Sequence, residues 1–169
     1  MNPSYCRIRT PVDDALQRFA AWQQLPQVGP FVTTNPFEAV ALACDEQGQW
    51  RGHAVLVSDL GGWTLFQDLT GGLGAIAAAQ WLKFAAADEL IFAGYNDSIP
   101  YGELVAIRGG VILREFLWDR SAPEANVNRG CLDCVDEPFQ TWVEVASFVE
   151  DDDLGFSETG RLWIYRPMP

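Results

Sequence analysis

A chain of 169 residues with 49% hydrophobic and 12% aromatic side chains has material for one buried core and fits a single domain over residues 1–169. Its formal charge of −12 is uneven, because residues 119–158 hold eleven carboxylates against two arginines, a net −9, leaving −3 elsewhere. That field argues against nucleic acid as a direct partner and for a cationic protein, with solubility as the competing explanation of the same charge.

Tyr5–Arg9 alternates well enough for a first strand, and its two arginines place it at a sheet edge. Thr10-Pro11-Val12-Asp13-Asp14 predicts a helix start, with Thr10 as cap, Pro11 at the first helical position and acids in the first turn. Val12, Ala15, Leu16, Phe19 and Ala20 form its apolar face, and Pro26 ends it. After a Pro-, Gly- and Thr-rich loop, Ala39–Cys44 reads as an apolar strand, Asp45–Gln49 as a turn and Trp50–Val57 as the returning partner. A third strand, Trp63–Leu69, follows Gly61-Gly62 and makes an antiparallel meander.

Thr70-Gly71-Gly72 leads into a helix over Leu73–Ala87, whose nearly continuous apolar circumference predicts deep burial. Apolar runs at Leu90–Ala93 and Leu104–Ile107 are strands, separated by a turn-rich stretch carrying two tyrosines. Glu103–Arg108 and Val111–Trp118 flank the hairpin signal Gly109-Gly110. That register sets Val105 opposite Arg114 and Glu103 diagonal to it, an expected cross-strand ion pair. Residues 121–136 are polar and irregular. Pro138 opens a third helix with Phe139, Trp142, Val143, Ala146 and Val149 as its buried stripe, and Arg161–Arg166 is the last strand. The expected fold class is α+β, a single mainly antiparallel sheet with about three helices.

The longest apolar run, near Gly74–Ala79, is interrupted by Gln80 and Lys83 and falls short of the about 20 apolar residues a bilayer span needs. Met1–Cys6 lacks the basic and then apolar pattern of a secretory signal, so a cytoplasmic location is expected. Cys6, Cys44, Cys131 and Cys134 are few for a disulfide scaffold and are expected to be reduced.

Cys131-Leu132-Asp133-Cys134 has the spacing of half a zinc site or of a redox pair. The only other soft ligands, Cys6, Cys44 and His53, are scattered along apolar strands, and neighbouring carboxylates raise rather than lower a thiol pKa. Glu150-Asp151-Asp152-Asp153 does not continue as a calcium loop, since Phe156 falls where the glycine belongs. It reads as a solvated turn or a partner-binding patch. His53 has no nucleophile motif to pair with, and no cofactor is expected.

Gly72-Leu73-Gly74-Ala75-Ile76-Ala77 fits a degenerate dinucleotide fingerprint between two strands, with Asp97 ending the second. Against it, a hairpin follows where a second βαβ unit belongs, and Asp68 sits near the expected phosphate. Glycines that let a helix pack close to a sheet explain the same letters. Tyr95, Asn96, Asp97 and Tyr101 have the composition of a recognition loop. Equally, Asn96 and Asp97 can bond their own turn while the tyrosines lean on the core.

The run Phe92-Ala-Gly-Tyr-Asn-Asp-Ser-Ile-Pro-Tyr-Gly-Glu103, the helix around Trp142 and the closing Gly160-Arg-Leu-Trp163 resemble the small acidic α+β immunity proteins encoded beside bacterial polymorphic toxins, including type VI secretion effectors. The resemblance implies a non-enzymatic inhibitor that binds a cognate toxin or other basic protein. No family's functional residues carry over. The residues expected to meet such a partner are Tyr95, Asn96, Asp97, Tyr101, Glu150, Asp151, Asp152 and Asp153. A small nucleotide-binding enzyme or ligand-binding regulatory domain using Gly72–Asp97 is the alternative.

Overall fold

The computed structural model describes residues 4–24, 32–132, 139–151 and 155–165. Among them the strands are β1 (Ser4–Ile8), β2 (Val32–Thr34), β3 (His53–Asp59), β4 (Thr64–Asp68), β5 (Leu90–Asn96), β6 (Tyr101–Arg108), β7 (Val111–Asp119), β8 (Val127–Gly130) and β9 (Gly160–Tyr165). The α-helices are α1 (Val12–Gln23), α2 (Pro36–Ala43), α3 (Ala78–Ala85) and α4 (Trp142–Asp151). The nine strands form one sheet in the order β2-β9-β3-β4-β1-β5-β6-β7-β8, with every pairing antiparallel. This is the expected α+β class, with four helices.

Alternation along the strands gives the sheet two apolar faces. On one, α1 and α3 pack Phe19, Trp81 and Phe84 against Cys6, Phe66, Phe92, Val105 and Tyr165. Offset stacking of Phe19 on Phe66 (4.8 Å) and of Trp81 on Phe92 (4.6 Å) fills its centre. The other face carries α4 over Leu65, Ala93, Leu104 and Phe116, and α2 over Leu56, Leu162 and Ile164.

Several elements differ from their sequence reading. β1 is not an edge strand; it lies between β4 and β5. Its Arg7 is accommodated there because the guanidinium lies 5.4 Å from the Trp63 ring and 5.9 Å from that of Tyr5. Ala39–Ala43 belongs to helix α2, not to a strand, and only Cys44 makes a β-bridge, to Trp50. Asn35 accepts a hydrogen bond from the Glu38 N–H at 2.9 Å, Pro36 starts the helix, and Ala39 and Ala43 bury one face at i, i+4 spacing. β3 therefore pairs with β4 and β9, and no meander forms around it.

Thr10 does not cap α1. Its hydroxyl donates to Asp88 at 2.7 Å, and α1 ends at Gln24 in a left-handed conformation. The expected stop at Pro26 lies outside the described residues. α3 begins at Ala78 rather than Leu73, and it is one-sided, with Ala79, Gln80 and Lys83 exposed.

The β6–β7 hairpin turns through Gly109 (φ 59°) and Gly110 (φ 74°), the positive values a two-residue turn of this kind requires. A bulge at Ala106/Ile107 then shifts the register, so Arg114 stands opposite Ala106 instead of Val105. One residue of slip moves Arg114 to the face opposite Glu103, and the expected ion pair does not exist. Arg114 is buried and donates to the carbonyls of Glu115 (3.1 Å) and Arg129 (2.8 Å) and to Asn128 Oδ1 (2.7 Å). It thereby holds β8, a strand in a stretch that reads as irregular. Asn128 Nδ2 in turn donates to the Phe139 carbonyl at 2.8 Å, just ahead of α4.

α4 starts at Trp142, not at Pro138, which lies outside the described residues. The start is a capping box: Glu144 accepts from the N–H (2.8 Å) and hydroxyl (2.6 Å) of Thr141, whose oxygen accepts from the Val143 N–H at 3.3 Å. Val145 and Ala146 are buried beneath it, whereas Val143 is exposed. The helix comes this close to β6 because Gly102 has no side chain; a Cβ there would stand 2.8 Å from Trp142 Cα. Gly102→Ala is expected to lower stability by roughly 1–3 kcal/mol in urea denaturation and to shift Trp142 fluorescence, since the backbone of α4 must move away.

Candidate functional site

β4 ends on Asp68, which is buried, and a buried carboxylate persists only where donors surround it. The next segment supplies them. Asp68 Oδ1 accepts from the backbone N–H groups of Thr70 (3.0 Å), Gly71 (2.9 Å) and Gly72 (3.2 Å), and Oδ2 from Leu73 N–H (2.8 Å) and the Ser4 hydroxyl (3.3 Å). The glycine-rich stretch is thus wrapped around an anion of its own chain. The Ala75 N–H, in a residue at φ 58°, points to Glu103 at 3.1 Å from each carboxylate oxygen. This wrapping is also why α3 starts late.

Glu103 lies on the sheet face that α3 covers and is only 5% exposed. It forms the floor of a cavity of about 290 Å³, lined also by Ser4, Gly74, Tyr95, Asn96, Tyr101 and Asp119. Burial, with the charge of Asp68, raises its pKa to about 7 against the opposing pull of the Ala75 N–H and the Tyr101 hydroxyl. That hydroxyl is buried beside the carboxyl but lacks the geometry of a formed hydrogen bond. Burial and the Glu103 charge push the Tyr101 phenol upward in pKa, so it remains a neutral donor.

The residues proposed to meet a partner divide between the two faces at this end of the sheet. Tyr95 faces α4: its ring stacks near Trp142 (6.3 Å), and its hydroxyl donates to Glu150 Oε1 at 2.6 Å. The Glu150 bond, burial and the charges of Glu150 and Asp97 push the Tyr95 phenol up to about 12, so it stays a donor at neutral pH. Tyr101 and Asn96, paired across β5 and β6, lie at the cavity. Asn96 Oδ1 accepts from the N–H groups of Ser98 (3.0 Å) and Ile99 (3.3 Å), the turn role open to it from sequence. Asp97, Glu150 and Asp151 are exposed. Asp152 and Asp153 lie outside the described residues, as does Cys134.

Asp68, Glu103 and Asp119 were not nominated from sequence. The available signal was an acid standing at an inward position of otherwise apolar strands. Cys6 is buried, which pushes its thiol pKa up, and Cys131 is exposed. His53 lies tilted against Tyr165, ring centroids 5.5 Å apart, beside Gly72. Among the described residues no cluster of three His, Cys, Asp or Glu groups is placed to hold a metal ion, and no helix is long and apolar enough to cross a membrane. Comparison with protein-family models, with curated proteins and with solved structures returns no match.

Asp68→Ala strands several buried N–H groups and is expected to cost about 3 kcal/mol or more in denaturant unfolding. The raised pKa of Glu103 gives a second expectation with a definite sign. Its contribution to stability is present in full below about 4.5, the ordinary value, and is lost as pH rises through about 7. Glu103→Gln, whose amide oxygen still accepts from Ala75, should therefore match the parent near pH 4 and exceed it above pH 7 by on the order of 1–3 kcal/mol in pH-resolved thermal unfolding.

Proposed function

We propose that the chain is a non-enzymatic acidic binding protein of the immunity-protein kind, which inhibits a cognate bacterial toxin by occluding its basic active site. The observation that carries this reading is the Tyr95–Glu150 hydrogen bond. It joins two segments 55 residues apart into one rim, with a rigid aromatic wall of Tyr95 and Trp142 and the exposed carboxylates of Asp97, Glu150 and Asp151. Tyrosine and tryptophan supply contact area at low entropic cost, and like-signed charge around them steers a basic partner inward. In sequence, the net −9 of residues 119–158 has the same sign.

The nucleotide-dependent alternative draws on the glycines of 71–74. A phosphate would need the N–H groups that Asp68 and Glu103 occupy, and it would meet both negative charges there. Calorimetry against a nucleotide panel is expected to give no heat of binding. Saturable binding lost on Gly74→Val would favour the alternative.

The direct test is association with the product of a neighbouring toxin-like gene. Co-expression should suppress its lethality, and the association rate should fall by about tenfold or more between low and high salt. Asp97→Lys with Asp151→Lys, both exposed and outside the Tyr95–Glu150 bond, should slow association at low salt while leaving the fold intact. A rate insensitive to ionic strength would sink the steering mechanism.

A further inference from the structure

The two buried carboxylates at this end of the sheet are treated very differently. Asp68 receives four backbone N–H groups and the hydroxyls of Ser4 and Thr70. Glu103, buried as deeply, receives one N–H shared between its two oxygens. An ionised carboxylate offers about four acceptor sites, and leaving them unmet in a buried position is costly. Asp68 is accounted for by the loop it organises, whereas Glu103 is not.

The cavity beside Glu103 has the complementary chemistry. Its lining contains Glu103 and Asp119 and, among the described residues, no basic side chain. Tyr101, on the same sheet face as Glu103, supplies aromatic carbon, which suits an alkyl stem and attracts a cation. Its volume of about 290 Å³ lies just below the range typical of drug-sized ligands, so it suits a side chain better than a nucleotide. It also opens beside Tyr95, which forms the acidic rim.

We propose that this cavity receives one basic side chain, an arginine or a lysine, from the partner protein, with Glu103 as its counter-ion and Tyr101 as its aromatic wall. The proposal rests on the binding-protein reading above and adds an anchor to it. Surface charge would set the association rate, while the ion pair in the cavity would slow dissociation. Titration of Glu103 near neutral pH adds a signature, because proton and cation compete for the same oxygens. The ionisable groups around it are Asp68 from β4, Tyr95 from β5, Asp119 from β7 and Tyr101 on its own strand. None is a cation that could substitute for the ligand.

The test uses N-acetyl-arginine methylamide as probe, with the citrulline analogue as the uncharged control, followed through the backbone amides of Gly74 and Ala75 by NMR. Weak saturable shifts are expected with the arginine probe only. Affinity should rise as pH passes about 7, and Glu103→Gln should abolish that pH dependence and lower affinity by about tenfold, the scale of a charge-assisted hydrogen bond. Should that variant fail to fold, Gly74→Ala serves instead, since its Cβ would stand 3.3 Å from Glu103 Oε1 and crowd the carboxylate. Equal shifts with the citrulline probe, no saturable shift, or undiminished binding by the variants would overturn the proposal. Salt-sensitive association with a toxin but no probe binding rejects the anchor alone. Probe binding without any protein association rejects the broader reading and keeps the cavity as a cation site.

Discussion

Asp68 ends a buried strand with a negative charge, and everything around it is arranged to bring donors to that charge. The chain after β4 folds back over the sheet end so that successive N–H groups converge on one carboxylate. In nucleotide-binding loops the same convergence serves a phosphate. Here it is satisfied internally, and the product is a rigid roof whose last N–H, that of Ala75, reaches Glu103. The cavity exists because the roof is held above the sheet by Asp68, not because the sheet itself is hollow.

This division of labour explains how one end of the sheet carries two kinds of surface. On the α3 side the loop creates a small concave pocket with a poorly compensated acid. On the α4 side Gly102 lets the helix settle close to β6, which brings Glu150 within reach of Tyr95. The fold thus sets an enclosed negative group beside an exposed negative rim. Neither arrangement follows from the net charge of −12, which would be the same were the acids scattered.

Much of the frame was legible locally. The apolar face of α1, the Gly61-Gly62 and Gly109-Gly110 turns, and the strands β4, β5 and β9 all follow from short-range patterns. The failures have physical causes. Ala39–Cys44 is too short an apolar run to reveal its period, although Asn35-Pro36 carried the helix-start signal. The place of β1 depends on Trp63, more than fifty residues away, taking the charge of Arg7. The bulge that turns Arg114 to the other face leaves no mark in the alternation. For the site, Tyr95 and Glu150 were legible as residue types suited to an interface, but their meeting was not. Glu103 was visible only as half of an ion pair that a one-residue slip abolishes.

The interior position of β1 has a consequence for how the molecule assembles. β5 to β8 pair in sequence order and can form as neighbours, whereas β1 is the seam between that meander and the β4-β3-β9-β2 half of the sheet. β1 has no partner until residues 64–67 and then 90–94 have been synthesised after it. Pairings this distant in the chain are slow to close, because their loop entropy is lost before any contact is gained. Until then, an arginine-bearing strand with two open edges is exposed to any other strand it meets. In β1 the charge of Arg7, which settles over the Trp63 ring only once β4 has paired, discourages such encounters.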